Sequence, residues 1–275
     1  MDTAELPGRP GRRPVRPAVL VCVLLVALAV VATVILTGHG HAHHGGGAAG
    51  EPGRAGLGGL GPGSADPAAF RAGDADLLVL DGVSGRIRVT ADSAADTVSG
   101  TFHRDGGPAA EVRGSVDQAA GLRTVTLRCT SGGSDDPGDA GGPCAGDLTV
   151  TLPAHTGLRL RQTSGETVLT GLSGVLDVSV ASDRLTATAL RPSHADIAVT
   201  SGSADLGFAA APDTLALQET SASTALRLPA AAGDAYAVSS TATSADVRIQ
   251  VPRQAGAAHR VSLDVRSGSL AVLPA

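Results

Sequence analysis

The chain has 275 residues, and 21 basic against 26 acidic side chains give a formal net charge of −5. All 21 basic residues are Arg, and Lys, Asn and Trp are absent, so a P-loop, which needs its Lys, is excluded. With only Phe70, Phe102, Phe208 and Tyr236 as aromatics and an acidic balance, the chain has neither a stacking platform nor an electrostatic footprint for nucleic acid, and no such partner is expected.

A core without large rings has to be built from Val, Leu, Ala and Thr, which fill thin layers between sheets, so many short strands are expected. In chain order, residues 1–17 are a basic tail carrying Arg9, Arg12, Arg13 and Arg16. Segment 18–37 follows, uncharged from Ala18 to Leu36 and long enough as a helix, at about 1.5 Å per residue, to cross the hydrocarbon region. A cleaved signal peptide shares the basic flank, but its apolar run is usually about 7 to 15 residues, so an uncleaved single-pass helix in membrane lipid is the expectation. The positive-inside rule then leaves the amino terminus in the cytoplasm and the bulk outside the cell membrane. Cys22 lies within this segment and is read as a lipid-facing bystander.

Residues 38–75, rich in Gly, Ala, Pro and His without a sustained period, cannot offset their ordering entropy by burial and read as a flexible tether. From Asp76 to Ala275 the pattern becomes alternating, β-branched runs between Gly, Ser, Asp and Pro: DLLVL, GRIRVT, TVSGTF, AEVRGSV, RTVTLRC, DLTVTL and GLRLRQ. These are strands, and no capped helical stripe interrupts them.

The last third repeats. Strand-turn-strand units begin at Leu158, Leu176, Ile197, Leu215, Tyr236 and Val261, centred on Ser164, Ser182, Ser201, Ser221, Ser244 and Ser267, which are 18, 19, 20, 23 and 23 residues apart. Gly165, Gly202 and Gly268 supply the turns with a residue that takes positive φ without a Cβ clash. Stacking consecutive units predicts two inward ladders, Val178, Val199, Leu217, Val238 and Leu263, then Leu185, Leu206, Leu226, Val247 and Leu270. The expected fold is all-β, a right-handed β-solenoid or stacked β-roll of short strands. Arg159, Arg161, Ser179, Arg184, Thr186, Asp205, Gln218, Arg227, Asp246 and Arg248 are then outward, and Pro274 closes an edge.

The repeated T-S-G-D-like turn flanked by V-x-V and V-x-L, with V-T-L-P at Val150–Pro153 before it and V-P-R at Val251–Arg253 after it, resembles the bacterial "putative adhesin" family of β-strand-repeat proteins of unknown function, common in high-GC Gram-positive bacteria. The resemblance covers about residues 76–275 and implies a β-helical fold and a cell-envelope location, with no enzyme activity attached. Relatives often end the turn in Asp. Here only Glu166 directly follows Ser-Gly, and the other turns read Ser182-Asp183, Ser221-Ala222 and Ser244-Ala245.

Cys129 and Cys144 bracket a 14-residue insert, and outside the membrane a disulfide between them is expected, contributing roughly 3 kcal/mol. His39, His41, His43 and His44 could ligate a metal through imidazole, but in a Gly-rich run they read as a polar stop to the membrane helix. Gly56, Gly58 and Gly61 match G-x-G-x-x-G without the strand and helix that motif needs. Asp135, Asp136 and Asp139 lack calcium-loop spacing. His103, His155, His194 and His259 are scattered, and five Glu with 21 Asp are spread singly, so no catalytic, cofactor or metal site is assigned.

The function expected is a non-enzymatic envelope protein displaying a rigid surface for adhesion or docking, with weak contacts to an envelope protein or polymer strengthened by multivalent display on one membrane. An accessory sensor in envelope stress and a polysaccharide-cleaving β-helix are the alternatives.

Overall fold

The computed structural model describes residues 55–56, 68–105, 110–119, 121–131, 144–230 and 235–275, with the side chains at 55–56, 110–114 and 129–131 outside that description. These residues belong to one compact unit, Glu51–Ala275. The basic tail, segment 18–37 with Cys22, the His39–His44 run, Gly58, Gly61, Asp135, Asp136 and Asp139 lie outside the described residues.

The period-2 segments form β1 (Ala55–Gly56), β2 (Ala68–Arg71), β3 (Leu77–Asp81), β4 (Val83–Asp92), β5 (Ser99–Arg104), β6 (Ala110–Ala119), β7 (Leu122–Ser131) and β8 (Cys144–Pro153). They continue as β9 (Gly157–Thr170), β10 (Leu176–Leu190), β11 (His194–Phe208), β12 (Thr214–Leu228), β13 (Tyr236–Ala242), β14 (Ala245–Ile249), β15 (His259–Val265) and β16 (Gly268–Pro274). The described residues are all-β and contain no helix.

Pairing arranges these strands in layers, each with a first and a second arm. First arms run β1-β6-β7-β3-β9-β10-β11-β12-β15-β13, and second arms run β2-β5-β8-β4-β9-β10-β11-β12-β16-β14. Strands β9 to β12, of 14 or 15 residues, supply both arms of their layers. Pairing is parallel from β7 and β8 through to β13 and β14, and antiparallel where β1, β6, β2 and β5 close the other end.

Three expectations are corrected here. First, consecutive repeat units are not neighbours throughout: β12 pairs with β15 and β16, and β13 and β14, earlier in the chain, lie outside them. Longer connections, 229–235 and 250–258, let the chain pass one layer and return, and the widening of the serine spacing to 23 residues is their trace in the sequence. Pro274 therefore sits opposite Leu228 on an interior strand, not on an edge.

Second, the inward ladders are Leu160, Val178, Ile197, Leu217 and Leu263, then Leu169, Ala187, Leu206, Leu226, Val272 and Ile249. Val199 instead pairs with Val180, Val238 with Val261, and Leu185 with Ala204, a slip of two residues that leaves the buried face unchanged because the side-chain period is two. Third, the expected tether ends earlier than residue 75: β2 pairs with β5, and Phe70, Ala72 and Ala75 are buried. Phe70 lies against Gly100, where a Cβ would come within 2.5 Å of its ring, so the bare glycine makes the seat for one of the few aromatics.

Layers bend at a shared corner. Gly146, Gly85, Gly165, Asp183, Gly202, Ala222, Gly268 and Ala245 fall in one register column. Gly165, Gly202 and Gly268 have φ of +131°, +109° and +112°. A Cβ on them would lie 1.8, 2.0 and 1.9 Å from the carbonyl oxygens of Gly85, Asp183 and Ala222 in the adjacent layer. Glycine is required there by the spacing between layers as well as by φ.

Candidate binding face

The serines expected at turns sit one residue before this column. Ser164, Ser182, Ser201 and Ser221 pair in register within continuous strands, and Ser244 and Ser267 directly precede Ala245 and Gly268. The Ser201 hydroxyl donates to Ala181 O at 3.0 Å and lies 3.2 Å from the Ser182 hydroxyl. These side chains brace the bend between layers.

Inside the corner lies a polar cluster that the sequence reading did not single out. Gln162 Nε2 donates to Gly85 O at 2.9 Å and Ser164 O at 3.0 Å, which leaves Gln162 Oε1 to accept from the Thr167 hydroxyl. That hydroxyl also contacts Asp183 Oδ2 at 2.7 Å, so its single hydrogen is shared between the two acceptors. Burial raises the Asp183 pKa, against the opposing pull of the Thr167 hydroxyl and the Arg184 amide. Three layers further, Glu219 and Thr224 occupy the register positions of Gln162 and Thr167, counted through the stack. Glu219 is 1% exposed, neither of its oxygens closes a hydrogen bond among the described residues, and burial raises its pKa while the Thr224 hydroxyl and Ser269 amide pull less strongly downward.

The outer face of the second arms is a set of register rows. One row reads Asp147, Arg86, Glu166, Arg184, Ser203, Ser223, Ser269 and Asp246. Arg86 joins Glu166 at 3.2 Å and Asp147 at 3.3 Å, and these acids raise its already high pKa. Beyond Arg184 the row becomes small: three serines, with Ala225 and Ala271 in the row beside them. The result is an open groove of about 700 Å³ floored by Ser203, Ser223, Ser269, Ala225 and Ala271. Arg184 and Thr186 stand at one end and Asp246 and Arg248 at the other. Strand spacing makes it roughly 19 Å long, four intervals of about 4.8 Å. Ser223 and Ser269 hydroxyls are 2.9 Å apart, Arg248 pairs with Asp246 at 2.9 Å, and Arg227 pairs with Asp205 beside the floor.

Five residues expected to be outward, Arg184, Thr186, Asp205, Asp246 and Arg248, are thus brought together at one groove. Others go elsewhere. Arg159, paired with Asp177 at 2.8 Å, lines a second groove of about 640 Å³ on the first arms, near exposed Val175. Arg161 and Ser179 line a smaller one with Asp81. The sequence signal missed for the main groove was small residues recurring at one offset, Ser203, Ser223 and Ser269, two positions after Ser201, Ser221 and Ser267.

Cys144 is buried at the start of β8, and its N–H donates to Gly82 O at 2.9 Å. Arg128, the neighbour of Cys129, pairs with Asp81, the neighbour of Gly82, so the backbone register brings positions 129 and 144 to the same glycine. The histidines remain apart: His155 is 3.3 Å from Asp74, His194 is 3.3 Å from the Ser193 hydroxyl, and His259 Nδ1 is 2.9 Å from Pro212 O. His103 pairs in register with Asp147. Among the described residues no group of three or more His, Cys, Asp or Glu is placed to hold a metal, and no helix is long and apolar enough to cross a membrane.

No family model matches the chain, and no curated protein matches it. Among solved structures it is similar to a putative cell adhesion protein from Clostridium sporogenes, at 10% identity and a TM-score of 0.44 over 76% of this chain and 100% of that one. It is also similar to a putative adhesin from Bacteroides fragilis, at 12% identity and a TM-score of 0.33 over 76% and 98%. A putative adhesin from Parabacteroides merdae gives 10% identity and a TM-score of 0.27 over 77% and 98%. The high-GC Gram-positive source expected from the sequence finds no support in these organisms, and at these scores no property passes from those proteins to this chain.

Proposed function

We propose that the chain is a non-enzymatic, membrane-anchored envelope protein whose β-solenoid docks a polymer or protein through the serine-floored groove. The observation that carries this reading is the groove itself, a shallow row of hydroxyls between an Arg end and an Asp/Arg end. Such a floor suits hydrogen bonding to an extended, polar chain, and without aromatic anchors each contact is weak. Display of many copies on one membrane strengthens the total by about 10²–10⁴. The solenoid reading is supported by parallel, in-register layers meeting at a common corner. Anchoring rests on the apolar run at 18–37 in the sequence. The Cys129–Cys144 bridge is supported by the shared position of the two residues beside Gly82 in the backbone register.

The test compares the full chain held singly in nanodiscs with the same chain crowded on liposomes, binding labelled cell-wall fragments. Binding is expected to be strong only on liposomes, and Ser223→Arg, which fills the floor, is expected to remove it. Binding that ignores Ser223→Arg would assign the contact to another face.

A further inference from the structure

The last layer of the stack is paired on one side among the described residues, β13 to β15 and β14 to β16. The start of β13 is covered: Tyr236 bridges Arg253, its N–H donates to Pro252 O at 3.0 Å, and Gln254 N–H donates to Tyr236 O at 3.1 Å. Strand β14 has no such cover among the described residues. Val247 and Ile249 stand in register with buried Leu270 and Val272 yet are only half-buried, because no layer of the described residues follows them. Gln250 N–H donates to Val272 O at 2.8 Å. By the two-residue alternation of a strand, the backbone groups of Asp246 and Arg248 turn the same way, and those of Ala245, Val247 and Ile249 face outward.

This edge reads apolar, acid, apolar, base, apolar, a pattern complementary to its own reverse. We propose that β14 pairs antiparallel with β14 of a second copy, Val247 opposite Val247 on a two-fold axis. In that register Ala245 faces Ile249, and all the outward backbone groups of Ala245, Val247 and Ile249 meet counterparts as hydrogen-bonded pairs. Asp246 stands opposite Arg248 twice, at the closer, non-hydrogen-bonded positions where side chains interact most. The in-strand ion pair of Arg248 and Asp246 at 2.9 Å already holds both groups on one face, more than half exposed. Registers two residues away would set Asp246 against Asp246 or Arg248 against Arg248, so charge selects the central one. A head-to-tail stack is a poorer fit, since the opposite end closes with antiparallel β1 and β2 of two and four residues. One short strand makes a small interface, so the dimer is weak and dissociates on dilution.

The test is sedimentation equilibrium of the full chain in non-ionic detergent at low salt across a wide concentration range. The parent is expected to dimerise reversibly, and Arg248→Asp and Asp246→Arg, each placing like charges face to face, are each expected to weaken the dimer about tenfold or more. An equimolar mixture of the two variants is expected to recover it, because acid then faces base at both places. Val247→Pro removes only an outward N–H and is expected to abolish the dimer while leaving the melting temperature of the monomer near that of the parent. A parent that stays monomeric, a dimer indifferent to the single substitutions, or a mixture no tighter than its components would overturn the proposal. The mixture also separates lost recognition from lost folding.

Discussion

At Gly202 a single hydrogen atom decides whether two layers can close. Gly202→Ala would set a Cβ 2.0 Å from Asp183 O at a φ of +109°, and a loss of roughly 3 kcal/mol is expected. Gly256, with φ of +83° and open space where a Cβ would go, is the comparison: Gly256→Ala is expected to cost only about 1 kcal/mol. Thermal unfolding of both variants measures the gap, and equal losses would show that φ alone matters at the corner. Glu219 makes the opposite kind of prediction. Its folded pKa is raised by burial, so the neutral form suits the fold: the full stability is present below the unfolded pKa of about 4.3 and is lost as pH rises through the folded value. Glu219→Gln, neutral at every pH, is therefore expected to be more stable than the parent at pH 7 and to converge with it near pH 4. Denaturant titrations at the two pH values check this, and a gap that widens toward acid would reverse the sign. Gly165, Gly202 and Gly268 are legible in the sequence as bends. Glu219 is not, because only the register shows that it fills a place held by Val180, Val199 and Val265 in other layers.

At the scale of elements, the strands follow from alternation alone, since β-branched and aliphatic residues at every second place have one buried face to satisfy. Their order is harder to read, because a repeat says that units resemble one another without saying which will touch. β15 and β16 enter between β12 and the pair β13 and β14, so the last strand of the chain is interior. Deleting residues 268–275 should then behave as removal of a core strand. It would uncover Leu226 on one side and Val247 on the other, and leave Thr224 without Leu270, its register partner. Cooperative loss of the β signal in circular dichroism, together with proteolysis well inside β12, is the expected outcome. A truncated chain that melts like the parent would contradict the interior placement.

For the whole molecule, composition called for a small-residue core, and the same shortage of rings leaves the groove floored by serine and alanine. The groove itself was only half legible: its charged ends stood out as outward residues, while its floor consists of side chains too small to attract notice in a single sequence. The proposed bridge acts at this scale, closing the 14-residue segment between Cys129 in β7 and Cys144 at the start of β8. Reduction is expected to lower stability by roughly 3 kcal/mol, read as a shift in the denaturant midpoint. Two thiols alkylated in protein trapped before lysis would remove the bridge from the account.

The interior position of β16 also bears on how the protein is made. A ribosome releases β13 and β14 before the strands that must lie between them and β12, so the growing chain cannot finish its final layers in order of synthesis. From Ile249, the end of β14, to Pro274, the end of β16, another 25 residues are translated, roughly 1 to 5 s at ordinary elongation rates, during which the β12 edge stays open. A chain interrupted before β16 keeps the second-arm edge of β12 unpaired, and an open edge of that kind is a ready template for pairing with other chains.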